Sequence, residues 1–117
     1  MGELIMLLFH ARTASHVLHL KSRSYAAHVA LNEFYDGIVD LADTLAETYQ
    51  GRHGLIETYP PRYTPFNDPL ELLDHVCSWI EENRYEVCEK TDTHLQNIID
   101  EVVALTERTK YKLRFLK

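Results

Sequence analysis

Four stretches of 3.6-residue apolar periodicity, each bounded by recognisable start or stop residues, leave this chain little choice but an all-α fold. The first covers about residues 2 to 21, with Leu4, Leu8, Ala11, Ser15 and Leu18 on one stripe. Ala11, Ala14 and Ser15 are small enough to let a second helix approach closely. A parallel stripe, Ile5, Phe9, Arg12, His16 and His19, begins apolar and turns polar. Lys21 to Ser24 read as a tight turn, with Ser22 or Ser24 as the next N-cap. The second helix runs from about 25 to 50, carrying Leu31, Phe34, Tyr35, Ile38, Leu41, Ala42 and Leu45, and Gly51 and Gly54 mark its end.

Residues 51–67 (GRHGLIETYPPRYTPFN) hold three of the four prolines and are long enough to traverse a bundle. Asp68, Pro69 and Glu71 open a third helix in the pattern of a cap, a first-turn proline and a capping-box acid. It should reach about residue 89 through Leu72, Val76, Trp79, Ile80 and Val87. A fourth, capped by Thr91 to Thr93, should span about 93 to 115 with Leu95, Ile98, Val102, Leu105, Thr109, Lys112 and Leu116 on its stripe. The expectation is one domain over 1–117: a four-helix bundle of two short-turn hairpins joined by a long crossover, the connectivity of ferritin-like folds.

Composition narrows the function classes. Twelve basic and eighteen acidic residues give a net charge of −6, which argues against a surface that grips nucleic acid through its phosphates. The basic C-terminal residues Lys110, Lys112, Arg114 and Lys117 read as cations complementing a helix end. Cys77 and Cys88 lie about 16 Å apart along one predicted helix and cannot bridge there; free thiols suit a reducing cytosol. The apolar start MGELIMLLF reads as a core helix and not as a signal peptide, and no segment approaches a membrane span. Glu81, Glu82 and Glu86 with Asp100 and Glu101 carry the residue types of a magnesium-binding nucleotide hydrolase. They read better as a solvated face. There is no phosphate-binding glycine loop, nucleophilic triad or zinc-type cysteine pairing.

The residues with metal chemistry sit on the first two helices. His10, His16, His19 and His28 fall within the first 28 residues, and Asp43 and Glu47 are one turn apart on the second helix. Imidazole and carboxylate are the usual ligands of a transition metal. His28 and Asp43 are separated by roughly 22 Å of helix, so one ion cannot use both within one chain. An antiparallel second copy would bring them together.

The spacings of His16, His28, Asp43 and Glu47 (twelve, fifteen and four residues) resemble those of the mini-ferritins, the DNA-protecting proteins of starved bacteria. The stretch DGIVDLADTLAE over 36–47 also looks like that family's second helix. The resemblance covers about residues 10 to 50. It implies a ferritin-like protein with iron, zinc or another divalent ion at a twofold dimer interface. His16 or His19 with His28 would come from one subunit and Asp43 and Glu47 from its partner, and ferrous iron would be oxidised by peroxide or oxygen. Asn32 stands where that family often has an acidic residue, and matching His19-Leu20 to the family's His-Trp pair shortens the first spacing to nine. With no basic tail, DNA binding is not expected. The segment HLKSRSYAAHVALNEFYD over 19–36 is also similar to small ferritin-like proteins encoded by tailed bacteriophages. That implies a cytoplasmic phage product. A second expectation is therefore a non-enzymatic helical interaction protein that meets a host partner through Tyr59, Tyr63 and Phe66. Tyr25 and Tyr35 lie near the proposed site, where packing is their more ordinary role.

Overall fold

The computed structural model describes residues 1–117 as four helices and no strand: α1 (Gly2–Lys21), α2 (Tyr25–His53), α3 (Pro69–Val87) and α4 (Thr93–Phe115). They form an all-α bundle of 43 × 25 × 22 Å. At 1.5 Å per residue, α2 alone is long enough to run the length of the long axis.

Each boundary has a local cause. Ser22 to Ser24 make the α1–α2 turn, and the Ser24 hydroxyl caps α2 by accepting from the Ala27 amide at 3.2 Å. Asp68 caps α3 by accepting from the Leu70 amide at 3.1 Å, with Pro69 in the first turn. α2 extends to His53, a few residues beyond expectation. Gly51 is absorbed into the helix, and the chain turns only at Gly54, whose φ of 95° suits a residue without Cβ. α3 ends at Val87, two residues early. The α3–α4 turn is closed from inside by buried Gln96, whose amide donates to the carbonyls of Cys88 (3.0 Å) and Arg84 (3.1 Å).

α1 packs on α2 and α3, and α4 packs on the same two, so α1 faces α4 and α2 faces α3 across the core. Residues 54–68 run back along the bundle, so every adjacent pair of helices is antiparallel. The outbound end of this crossover lies by the start of α1. There a Cβ on Gly2 would meet the Thr58 carbonyl oxygen at 1.9 Å.

The expected stripe of α1 (Leu4, Leu8, Ala11, Ser15, Leu18) is buried throughout, as are Leu31, Phe34, Ile38, Ala42 and Leu45 of α2. On α4 the buried line passes through Leu95, Ile99, Val102, Thr106 and Thr109, rotated slightly from the expected one. Its hydroxyls are satisfied within the helix: Thr106 donates to the Val102 carbonyl at 2.8 Å and Thr109 to the Leu105 carbonyl at 2.9 Å. Both cysteines are free thiols. No helix is long and apolar enough to cross a membrane.

Candidate functional site

Three imidazoles gather where α1 ends and α2 begins. The rings of His19 and His28 stack at 3.6 Å with 19° between their planes. Each is tied to the other's backbone: His19 Nδ1 lies 2.6 Å from the His28 carbonyl oxygen, and His28 Nδ1 lies 3.0 Å from the His19 carbonyl oxygen. A carbonyl only accepts, so both Nδ1 atoms carry the proton. In the neutral rings the Nε2 lone pairs are then left free. Neither Nε2 has a partner within the chain, and neither is sealed from solvent.

His16, one turn before His19, stacks on Tyr35 of α2 at 4.1 Å. Tyr35 also meets the His19 ring edge-on at 5.3 Å, and the Arg12 guanidinium lies 5.9 Å from its centroid. The Tyr35 hydroxyl donates to Asn32 Oδ1 at 2.7 Å, and Asn32 Nδ2 donates to Asp36 at 3.0 Å. The phenol at the back of the corner is thus fixed by a short polar chain along α2. Tyr25 is exposed, 6.5 Å from His28 between ring centroids.

A histidine that donates one ring N–H to a backbone carbonyl is oriented as metal-bound histidines usually are, so the residues present suit an ion in that respect. The stack limits how. The two rings are stacked face to face, so an ion would be held by a single nitrogen of the His19–His28 pair. No group of three or more His, Cys, Asp or Glu side chains within the chain could hold a metal. Asp43 and Glu47 are exposed, far along α2 from the imidazoles. With Asp36 and Asp40 they form one stripe at spacings of four, three and four. None of the five ion pairs in the chain involves this stripe.

Residues 19–113 match a family of unknown function (DUF5856). This chain belongs to that family. The match begins at His19, so it takes in His28, Asp43 and Glu47 but not His16. An uncharacterized 14.6 kDa protein encoded in the mobD-ri intergenic region of Enterobacteria phage T4 is 24% identical over 119 residues, covering 95% of this chain and 85% of that protein. No solved structure matches significantly.

This DUF5856 protein holds two further polar clusters that sequence reasoning missed. Asp92, in the N-cap position of α4, makes no cap bond. Its carboxylate turns to α2, meeting Arg52 Nε at 2.8 Å and His53 Nε2 at 2.9 Å while the aspartate stays 4% exposed. The hydrogen bond from His53, joined by that from Arg52, holds its carboxyl below the usual range against the opposing effect of burial. The second cluster lies under the crossover. Arg62 Nη2 lies 3.3 Å from His75 Nε2 of α3, its guanidinium is 5.7 Å from the Trp79 centroid, and its Nε is buried without a partner. Such an unpaired donor costs about 1–3 kcal/mol. His10 of α1 meets Thr64 from the other side, its Nε2 being 2.8 Å from the Thr64 carbonyl oxygen. Only Arg62 of this cluster lies among the prolines, and no spacing rule joins it to His10 and His75.

Tyr63 is the exposed tip of the crossover at 83%, Tyr59 is partly exposed, and Phe66 packs against the core. The expected aromatic contact surface thus splits, with Phe66 serving the fold. Glu81, Glu82 and Glu86 are exposed, and Asp100 is paired with Arg84.

Proposed function

We propose that this protein is a ferritin-like, divalent-metal-binding homodimer, with each ion held between the imidazole corner of one copy and Asp43 and Glu47 of the other. The observation that carries the reading is the double Nδ1–carbonyl clasp of His19 and His28, which leaves their Nε2 lone pairs open at one end of α2. Asp43 and Glu47, exposed toward the other end of α2 and in none of the ion pairs, would supply complementary charge. Two copies of α2 running antiparallel would satisfy both ends at once, and a twofold interface repeats the match. Imidazole with carboxylate suits iron, with zinc as the other candidate. An iron ion with open positions would supply oxidation of the ferrous state by peroxide or oxygen. The chain's own part is to bind and orient the ion, using His16 or one ring of the His19–His28 pair and the partner copy's carboxylates.

The test is metal analysis and light scattering on protein purified without chelator and reloaded with ferrous iron or zinc under argon. The reading expects a dimer with two ions per dimer and loss of both ions in Asp43→Ala. Unchanged stoichiometry in that variant, or a monomer that takes up no metal, overturns it.

A second reading is a non-enzymatic interaction protein working in the cytoplasm of a phage-infected bacterium. It is favoured by Leu20, Tyr25 and Phe115, which are 71%, 82% and 70% exposed at the ends of their helices, and by the T4 relative. Under this reading a His16/His19/His28 triple alanine variant keeps its biological effect, and serine at Leu20 and Tyr25 abolishes it.

A further inference from the structure

The crossover lies on α1 and α3 through a cluster that is rich in cation-forming groups and poor in carboxylates. From the crossover, Arg62 presents Nη2 to His75 Nε2 at 3.3 Å. Arginine only donates, so His75 must accept, and Nε2 must be unprotonated. From α1, His10 closes on Thr64. Phe66 of the crossover rests beside His75 at 5.4 Å and beside His10 at 6.3 Å. On α3 itself the neighbouring acids are Asp74, which pairs with Lys110 of α4 at 2.6 Å, and Glu71, one turn earlier and exposed. No carboxylate bonds to Arg62, His75 or His10.

The two histidines respond differently to a proton. His10 Nε2 lies 2.8 Å from the Thr64 carbonyl oxygen and 3.3 Å from the Thr64 amide; a charged ring gives up the longer contact, in which the amide donates, and keeps the shorter one by donating to the carbonyl. His75 has no such option. A proton on its Nε2 removes Arg62's acceptor and sets two cations within hydrogen-bond distance of each other. Arg62 holds little in reserve, since its Nε is already buried without a partner.

We infer that the crossover is an acid-operated latch in which protonation of His75 expels Arg62 and frees residues 58–67 from α1 and α3, uncovering Phe66 and the face of Trp79. Burial, the Arg62 guanidinium and His10 all push His75 below its usual value of 6.5. A depressed histidine favours the closed form fully above about pH 6.5, and the advantage fades as the pH falls through the folded value. Opening therefore belongs below pH 6.5. Neither the latch nor its test depends on metal binding or dimerisation.

The chain's single tryptophan, Trp79, is the reporter. Its emission and acrylamide quenching are followed from pH 7.5 to 4.5 on the full chain, with far-UV circular dichroism alongside. The wild type should show a one-proton change in Trp79 with midpoint below 6.5 while helicity stays constant. His75→Gln, which keeps a neutral acceptor, should remove the change. His10→Asn, which removes the imidazole that helps to push His75 down, should move the midpoint upward. A wild type with no change in Trp79 overturns the latch, as does His75→Gln titrating like the wild type. Should His75→Gln fail to fold, a midpoint in His10→Asn that is unmoved or lowered overturns it instead.

Discussion

His19 and His28 lock the α1–α2 corner reciprocally, each ring donating to the other residue's carbonyl while the rings stack at 3.6 Å. The pair closes a hairpin whose turn is only three residues long, so it fixes the angle at which α2 leaves α1 whether or not an ion ever binds. The His19 carbonyl also accepts from the Ser22 amide at 3.3 Å, so His28 helps to cap the last turn of α1.

Replacing His28 with alanine removes two faces of that lock: the bond to the His19 carbonyl and the stack. A net hydrogen bond is worth about 1 kcal/mol, and a stacked ring pair adds about 0.5–1.5 kcal/mol. The expected loss is about 2 kcal/mol, read from the urea midpoint. A loss below about 0.5 kcal/mol would show that the clasp is incidental.

Phe34 is fully buried and belongs to the central cluster. Phe34→Ala should cost about 3–5 kcal/mol through lost transfer energy and the cavity left behind. Tyr25→Ala, at a ring 82% exposed, should stay within about 0.5 kcal/mol. Equal effects at the two positions would contradict the packing described.

Asp92 sits below the usual carboxylate range because of its bonds to His53 and Arg52. A lowered folded value adds stability above the unfolded carboxylate range, and that stability is lost as acid protonates the folded group. The thermal midpoint of the wild type should therefore fall more steeply below about pH 4 than that of Asp92→Asn. The variant should melt lower at neutral pH, and the two curves should converge in acid. Parallel curves would remove Asp92 from the acid response.

The two close-packed glycines should respond oppositely to alanine. At Gly37, mid-α2, a Cβ would meet a terminal methyl of half-buried Leu105 at 2.9 Å, and that methyl can rotate aside. The gain in helix propensity, about 1 kcal/mol, exceeds this adjustment, so Gly37→Ala should raise the melting temperature. At Gly2 the obstacle is the backbone carbonyl of Thr58 at 1.9 Å, which cannot move without lifting the crossover. Gly2→Ala should lower the melting temperature and loosen the Ile56–Thr58 segment in hydrogen exchange.

Sequence alone determined the local layer of this protein. The four helices, a serine cap on α2 at Ser22 or Ser24, the cap at Asp68, a glycine stop after α2 and the buried stripe of α1 all follow from period, capping chemistry and glycine's freedom at positive φ. These are interactions between residues a few positions apart, and a linear reading sees them. Even there, Asp92 stands in a cap position and does not cap, because Arg52 and His53, forty and thirty-nine residues earlier, offer its carboxylate stronger partners. Tertiary structure alone decided which side chains meet. It stacked His16 on Tyr35, turned His19 and His28 into a mutual clasp, packed Phe66 against the core and placed Arg62 against His75. The reason is geometric: helix spacing fixes a residue's direction about its own axis, but only packed helices and a crossover of particular length set the distance between residues that belong to different elements.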